Sequence, residues 1–351
     1  MPSGRLPGGL HRSHAVLAAL VVLAAVWAYW AAHRGPGGSA AGQKVTVWEL
    51  PLRDIATLTF RDGAVRTVLQ PAWDAGDEPY VWVEAQAPAP RKPTPKPAKR
   101  GAQEPPAAEP AAEPAAPETS AFKGNSAARP LLESFATLIA ERDLGPLGAL
   151  EPGQFGLPAQ DAYLELARAQ GPPLRLELGR AGFGGNTRYA HEPGSDRLYL
   201  LRITELRRLA TARASLMDRD LLGLKLNEAQ RIELTDGTRS ATFHKLPGPG
   251  QWAATAEAAE GDAEAAALVN LLQGLAVLRY LDEGSAEPGP PALEARVFMP
   301  GSDEPAGWVR LFAGSGPQAL ARSAHSRRLV EAPAAQVRQA LERARALLQD
   351  R

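Results

Sequence analysis

The sequence predicts an α+β protein: an N-terminal transmembrane helix followed by two copies of a module of antiparallel strands with covering helices. Three observations carry that expectation. Residues 15–32 form an uncharged, strongly apolar run of 18 residues. Beyond Val45, short stretches alternate apolar and polar side chains with period two and are broken by Gly-rich turns, as strands with one buried face do. The succession of strand-like and helix-like text in residues 45–227 then returns in residues 228–351.

Composition narrows the classes. The chain has 351 residues, with 39 basic and 39 acidic side chains and 44% apolar residues, enough for real cores but with no net charge to draw it to nucleic acid. It contains no Cys. Disulfides, thiolate chemistry, Cys-based zinc sites and lipid attachment at a Cys are therefore excluded, which suits an envelope protein.

In chain order, residues 1–14 are a short N-terminal tail and Ala15–Ala32 a transmembrane anchor. At 1.5 Å rise per residue that helix spans about 27 Å, close to a bilayer core. Trp27, Tyr29 and Trp30 gather at its far end, where aromatic rings prefer the headgroup level. A cleaved signal peptide is the competing reading. The run is longer than a usual signal core, ends in bulky rings, and Ser39-Ala40-Ala41 lies well past it. Arg5, Arg12 and the amino terminus precede the run, and Arg34 and Lys44 follow it, so the charge balance, together with the short tail and the large body, favours an N-terminus inside and a body in the periplasm. Residues 33–44 are a spacer. The first module, 45–227, opens on Val45, Val47, Ile55, Leu58, Phe60, Val65 and Val68, with Asp62-Gly63 as a hairpin turn and a further strand at Tyr80–Val83. Residues 86–120 hold ten Pro and no aliphatic branched or aromatic side chain, basic in the first half and acidic in the second. Such a segment buries too little to offset its ordering entropy and reads as a disordered insert. An amphipathic helix is expected over Pro130–Arg142, strands near Tyr163–Leu166, Leu174–Leu178, Arg188–Ala190 and Leu198–Leu201, with Gly179, Gly182, Gly184 and Gly185 as turn residues, and a helix over Glu205–Met217.

The second module, 228–351, follows the same script. Leu58-x-Phe60-x-Asp62-Gly63 is answered by Ile232-x-Leu234-x-Asp236-Gly237, and Trp82 by Trp252. Leu174-x-Leu176-x-Leu178-Gly179 is answered by Val309-x-Leu311-x-Ala313-Gly314. Helices over Ala263–Leu278 and Ala334–Leu348 answer the two helices of the first module. Only the Pro-rich insert has no counterpart.

Trp48-x-Leu50, Phe155-Gly156-Leu157, Leu176-x-Leu178-Gly179, Arg188-Tyr189, Leu198-Tyr199-Leu200-Leu201, Asp218-Arg219-x-Leu221-Leu222 and Trp252 together resemble the bacterial family called domain of unknown function 4340, from about Val45 to the C-terminus. The resemblance implies a membrane-anchored accessory subunit outside the cytoplasm, beside an ABC transport system of the gliding-motility type. None of these motifs is catalytic, and the long insert departs from the family pattern.

No constellation in the sequence spells a reaction. Gly179–Gly185 lacks the Lys-Ser/Thr of a phosphate loop and the spacing of a dinucleotide fold. The six His are scattered, with no ligand spacing, and no Gly-x-Ser-x-Gly elbow occurs. The expectation is thus no enzyme, no catalytic residue, no cofactor and no metal. An interaction surface is expected at Arg188, Tyr189, Asp218 and Arg219. Against it stand an edge pair in a sheet for the first two and an exposed local ion pair for the others. The expected partners are the lipid bilayer and a membrane protein such as an ABC transporter permease, with no nucleic acid. A TonB-like transducer that reaches through the Pro-rich segment and an envelope hydrolase built on scattered carboxylates are the alternatives.

Overall fold

Antiparallel pairing organises the computed structural model, which describes residues 44–74, 76–87, 118–314 and 318–349. The Ala15–Ala32 anchor, with the tail and nearly all of the spacer, lies outside the described residues, as do residues 88–117 of the insert. Among the described residues no helix is long and apolar enough to cross a membrane.

The first half contributes β1 (Val45–Glu49), β2 (Ile55–Asp62), β3 (Val65–Trp73), β4 (Pro79–Ala87), β5 (Glu118–Lys123), α1 (Ala128–Ala136), β6 (Thr137–Ala140) and β7 (Arg142–Pro146). It continues with β8 (Ala162–Arg168), β9 (Leu174–Ala181), β10 (Thr187–Glu192), β11 (Arg197–Arg202), α2 (Ile203–Ala210) and α3 (Ala212–Ser215). β1 and β6 pair by themselves, and the other strands form a nine-stranded sheet in the order β5-β4-β3-β2-β8-β9-β10-β11-β7. The second half holds β12 (Arg231–Thr235), β13 (Ser240–Lys245), β14 (Trp252–Ala253), α4 (Ala263–Gln273) and β15 (Arg279–Tyr280). β16 (Leu293–Phe298), β17 (Gly307–Phe312), β18 (Gln318–Ser323), β19 (Val330–Pro333) and α5 (Ala334–Gln349) complete it. These strands order as β14-β13-β12-β16-β17-β18-β19-β15. Set β5 aside, and the two orders correspond position by position, with a helix before the last strand of each sheet and helices after β11 and β19.

The alternation read in the sequence becomes apolar rows running across the sheets. Leu69, Leu58, Leu166 and Leu174 are successive cross-strand partners, and Phe60, Leu164 and Leu176 form the next row. Ile232 stands between Phe243 and Val297, and Leu234 is followed by Ala295 and Val309. A slip of one residue would turn each row to the solvent, so these rows set the register. Each fully buried side chain contributes about 1.5–3 kcal/mol. The buried side chains of both sheets join in one continuous core. α5 adds Val337, Ala340, Leu341, Ala344, Leu347 and Leu348 to it from a single stripe, and Asp262 caps α4 by accepting from the Glu264 and Ala265 amides at 2.9 and 3.0 Å.

Several expected boundaries move. The helix expected over Pro130–Arg142 ends at Ala136, and Leu138 and Ile139 lie on β6, paired with β1. In the second half the helix ends at Gln273, so Leu275 and Leu278 lie beyond it, next to β15. In the first half β6 buries Leu138, in the second the connection before β15 buries Leu275, and the helical spacing runs on across both junctions. The Glu205–Met217 helix is two helices that meet at Thr211. Gly179 sits within β9 rather than in the turn, and the turn takes Gly184 and Gly185 at φ 80° and 72°. Trp82 and Trp252 do not share an environment: Trp252 is buried in the core, whereas Trp82 is half-exposed on the opposite face of β4 from Val83.

The ends of the insert also change. Gln86 and Ala87 belong to β4 and Glu118–Ser120 to β5, with Ala87 directly opposite Glu118. Composition could not reveal this, because backbone pairing supplies the order. Residues 88–117 therefore join two facing positions of one antiparallel pair. Replacing them with Asn-Gly, a two-residue hairpin loop, is expected to keep the fold and raise stability by up to about 2 kcal/mol through a smaller loop-closure cost. Thermal melting measures this, and a lowered midpoint would contradict the hairpin arrangement.

Candidate functional site

Two clusters gather the residues that the sequence singled out. The first lies at the end of β9 and β10. The Arg188 guanidinium donates to both Asp62 carboxylate oxygens at 2.6 and 3.1 Å and through Nε to the Gly179 carbonyl at 2.7 Å. It thereby ties β10 to the turn after β2. The Phe155 and Tyr189 rings meet edge-on at 4.9 Å, above a small cluster of Leu147, Leu157 and Leu198. Gly179 has no room for a side chain: a Cβ there would stand 2.1 Å from the Phe155 carbonyl oxygen. The Phe155-Gly156-Leu157 turn thus rests directly on β9. β10 lies between β9 and β11, so the expected edge pair is an interior pair, and the donors of Arg188 go to Asp62 and Gly179. Phe183, at the tip of the β9–β10 turn, is fully exposed.

The second cluster lies where the two sheets meet. Lys123 ends β5 as the cross-strand partner of Trp82, so both side chains leave the sheet on one face. There the turn after β18 covers them. His325 Nε2 lies 2.8 Å from Asp218 Oδ2, and Lys123 Nζ lies 2.9 Å from His325 Nε2, 3.0 Å from its Nδ1 and 3.6 Å from Asp218 Oδ2. A ring carrying its proton on Nε2 donates to the carboxylate, with the ammonium close to both ring nitrogens. The side chains of Lys123 and Asp218 are only 9% and 13% exposed. His325 reaches its place because residue 223 is Gly, at φ 66°: a Cβ there would stand 1.9 Å from the ring nitrogen. Tyr280 donates to the Asp218 carbonyl at 3.1 Å, and the Asp218 amide donates to the Lys123 carbonyl at 2.9 Å.

Burial sets the electrostatics here. It lowers the Lys123 ammonium below its ordinary range, and the attraction of Asp218 only partly restores it. Burial by itself would raise the Asp218 carboxyl, but hydrogen bonds from His325 and the Asp220 amide, with the nearby charges, outweigh it and hold the group below its ordinary value. The Tyr280 phenol is pushed up by burial.

Beside this cluster opens a cleft of about 360 Å³ between the sheets. Arg327, held at φ 60°, stacks over Tyr80 at 4.1 Å, and Arg328 over Trp82 at 4.0 Å. Arg327 also reaches Asp74 at 3.3 Å, and Arg328 reaches Glu283 at 2.6 Å. Trp82 meets Tyr280 edge-on at 6.2 Å. A separate apolar pocket of about 300 Å³, next to Lys44, is lined by Phe135, Leu138, Ile139, Leu201 and Leu206, with one buried Glu205 oxygen unpartnered.

Of the four expected surface residues, Arg188 and Tyr189 lie on β10, six strand steps across the sheet from β5, where Asp218 binds. They are not one surface. Asp218 is a long-range buried partner, not a local exposed pair, and Arg219 alone is exposed. His325 is a seam residue, while His191 on β10 lies near Glu177 and Asp196 at 3.6 and 3.3 Å. Sequence reasoning missed Lys123, Arg327, Arg328 and Tyr80. Lys123 carried one available signal, a lone cation beside Phe122 at the end of a strand. Among the described residues no group of three or more His, Asp or Glu is placed to hold a metal.

Asp218→Asn leaves Lys123 without its counter-charge in a dry place, so the expected loss is about 3–5 kcal/mol. The sign with pH follows from Asp218. Its folded value is depressed, so its stabilisation is present above the ordinary value of 3.8 and vanishes as pH falls through the lower folded value. Denaturant titration across acid pH is expected to show a smaller loss in Asp218→Asn than in the parent chain, because Asp74, Asp236 and Glu294 also carry depressed carboxyls in both.

No curated protein and no solved structure matches the chain. Residues 124–295 match the family model described as Domain of unknown function (DUF4340). The match begins just after Lys123 and ends within β16, a shorter stretch than the one from Val45 to the C-terminus. It contains the Phe155-Gly156-Leu157 turn, the Arg188-Tyr189 pair and the segment around Asp218, and it supports the DUF4340 domain family for this central part of the chain.

Proposed function

We propose that this chain is a non-enzymatic, single-pass, membrane-anchored binding scaffold, its N-terminus inside and its body in the periplasm, accessory to an ABC-type transport system. The observation that carries the reading is the correspondence of the two strand orders, joined through one core. We read it as two copies of one module, packed as a single body that presents a seam. A body of this kind suits holding a partner in a set geometry. Ala15–Ala32 supplies the tether, and the DUF4340 match agrees with the family from which the transporter association is drawn.

The transducer alternative fits less well. A reach element joins an anchor to a body, whereas residues 88–117 leave and re-enter at facing positions of β4 and β5. Purification of the full chain from native membranes in a mild detergent, with mass spectrometry of what accompanies it, tests the proposal. An ABC permease is expected among the partners, and protease added to spheroplasts is expected to digest the body. Recovery without any membrane partner contradicts the transporter role, and a protected body contradicts the topology.

A further inference from the structure

The cleft at the seam belongs to neither sheet alone. β4 supplies Tyr80 and Trp82, two positions apart and therefore on one face. The segment around β18 and β19 supplies Arg322, Arg327 and Arg328. At about 360 Å³ the cleft falls at the small end of the range for small-molecule sites. It continues past Trp82, Glu283 and Arg328 into a second hollow of about 310 Å³ over Val68, Gln70 and Glu84. The two hollows make a groove along the outer face of β3 and β4.

Its chemistry is specific in three ways. The rings lie behind the guanidiniums and hold them in place without consuming their N–H groups. Each of Arg322, Arg327 and Arg328 makes one side-chain ion pair, with Glu287, Asp74 and Glu283 respectively. A guanidinium has five N–H donors, so donors remain in excess. Those carboxylates, with Asp282 on the lining, also offset the three cations, and the groove carries no surplus of positive charge to draw an anion. Spare donors, rim carboxylates that accept, aromatic side chains and a balanced charge together suit a neutral ligand rich in hydroxyls, since a hydroxyl both accepts and donates.

We infer that the seam groove is a carbohydrate site for one or two sugar rings, with the spare N–H groups of Arg327 and Arg328 donating to ring or hydroxyl oxygens and Trp82 holding the Arg328 guanidinium in place behind them. This deepens the binding role proposed above and rests on it only in giving the body a ligand. Its test involves no transporter, so either can fail alone.

The experiment is saturation-transfer NMR on the full chain in a detergent without a sugar headgroup. The probes are glucose, N-acetylglucosamine, cellobiose and chitobiose, with inorganic phosphate as the anionic arm. At least one disaccharide is expected to give saturable transfer, weakened about tenfold or more, the loss of one good polar or stacking contact, in both Arg327→Gln and Trp82→Leu. Arg239→Gln, at an exposed position outside the groove, is expected to leave binding unchanged. Circular dichroism checks that each variant is folded, and Arg327→Gln serves alone if Trp82→Leu does not fold. Absence of transfer from all four sugars overturns the inference. So does transfer that Arg327→Gln leaves intact, or phosphate that displaces a bound sugar at lower concentration than the sugar itself requires.

Discussion

Lys123, Asp218 and His325 come from the end of a strand, the segment between the two sheets and a turn near the far end of the chain, and they meet at a seam where Lys123 is buried and the other two are partly buried. Charges in such a place are tolerable only when each has its partner. The arrangement therefore holds the sheets in one relative position more strictly than apolar packing would, since apolar surfaces can slide with small loss. Gly223 is part of the same constraint, because only a residue without a side chain leaves the His325 ring its place. The aromatic and arginine contacts beside the cluster follow from that docking: once His325 is seated, Arg327 and Arg328 fall over Tyr80 and Trp82.

Much of the fold was legible in the sequence because its signals are local. Period-2 alternation marked β2, β8, β9 and β12, and Asp62-Gly63 and Asp236-Gly237 marked hairpins whose glycines take φ 59° and 92°. The mixed α+β class with antiparallel sheets followed from those signals. The misreadings arose where two periods share the same residues. Leu138 and Leu275 continue the helical spacing of α1 and α4, yet they lie past the helix ends, because a short strand in one case and a connection in the other bury a leucine just beyond the helix.

The candidate site was mostly illegible for a different reason. Arg327 and Arg328 read as ordinary surface cations, and nothing within ten residues of either announces Tyr80 or Trp82. Asp218 was noticed for its charged neighbours, while its partners lie 95 and 107 positions away. Long-range ion pairs leave no period and no spacing. Arg188 was noticed as well, and its guanidinium donates to Asp62 and to the Gly179 carbonyl, both far from it in sequence or across a turn. The glycines told more than they were asked. Gly179 and Gly223 each mark a close approach of distant chain, and a turn was only the commoner explanation for the first.

A groove assembled from two halves of one chain ties recognition to the docking of those halves. Whatever loosens the ion cluster also opens the cleft beside it. The central claim is that the two sheets form one cooperative body through this seam, and native-state hydrogen exchange on the full chain tests it most directly. In Gly223→Ala, which unseats His325, the amides of Leu166 in the first sheet and Val297 in the second are expected to lose protection together and by the same free energy. Loss confined to Val297, with Leu166 as protected as before, would show two bodies that merely touch.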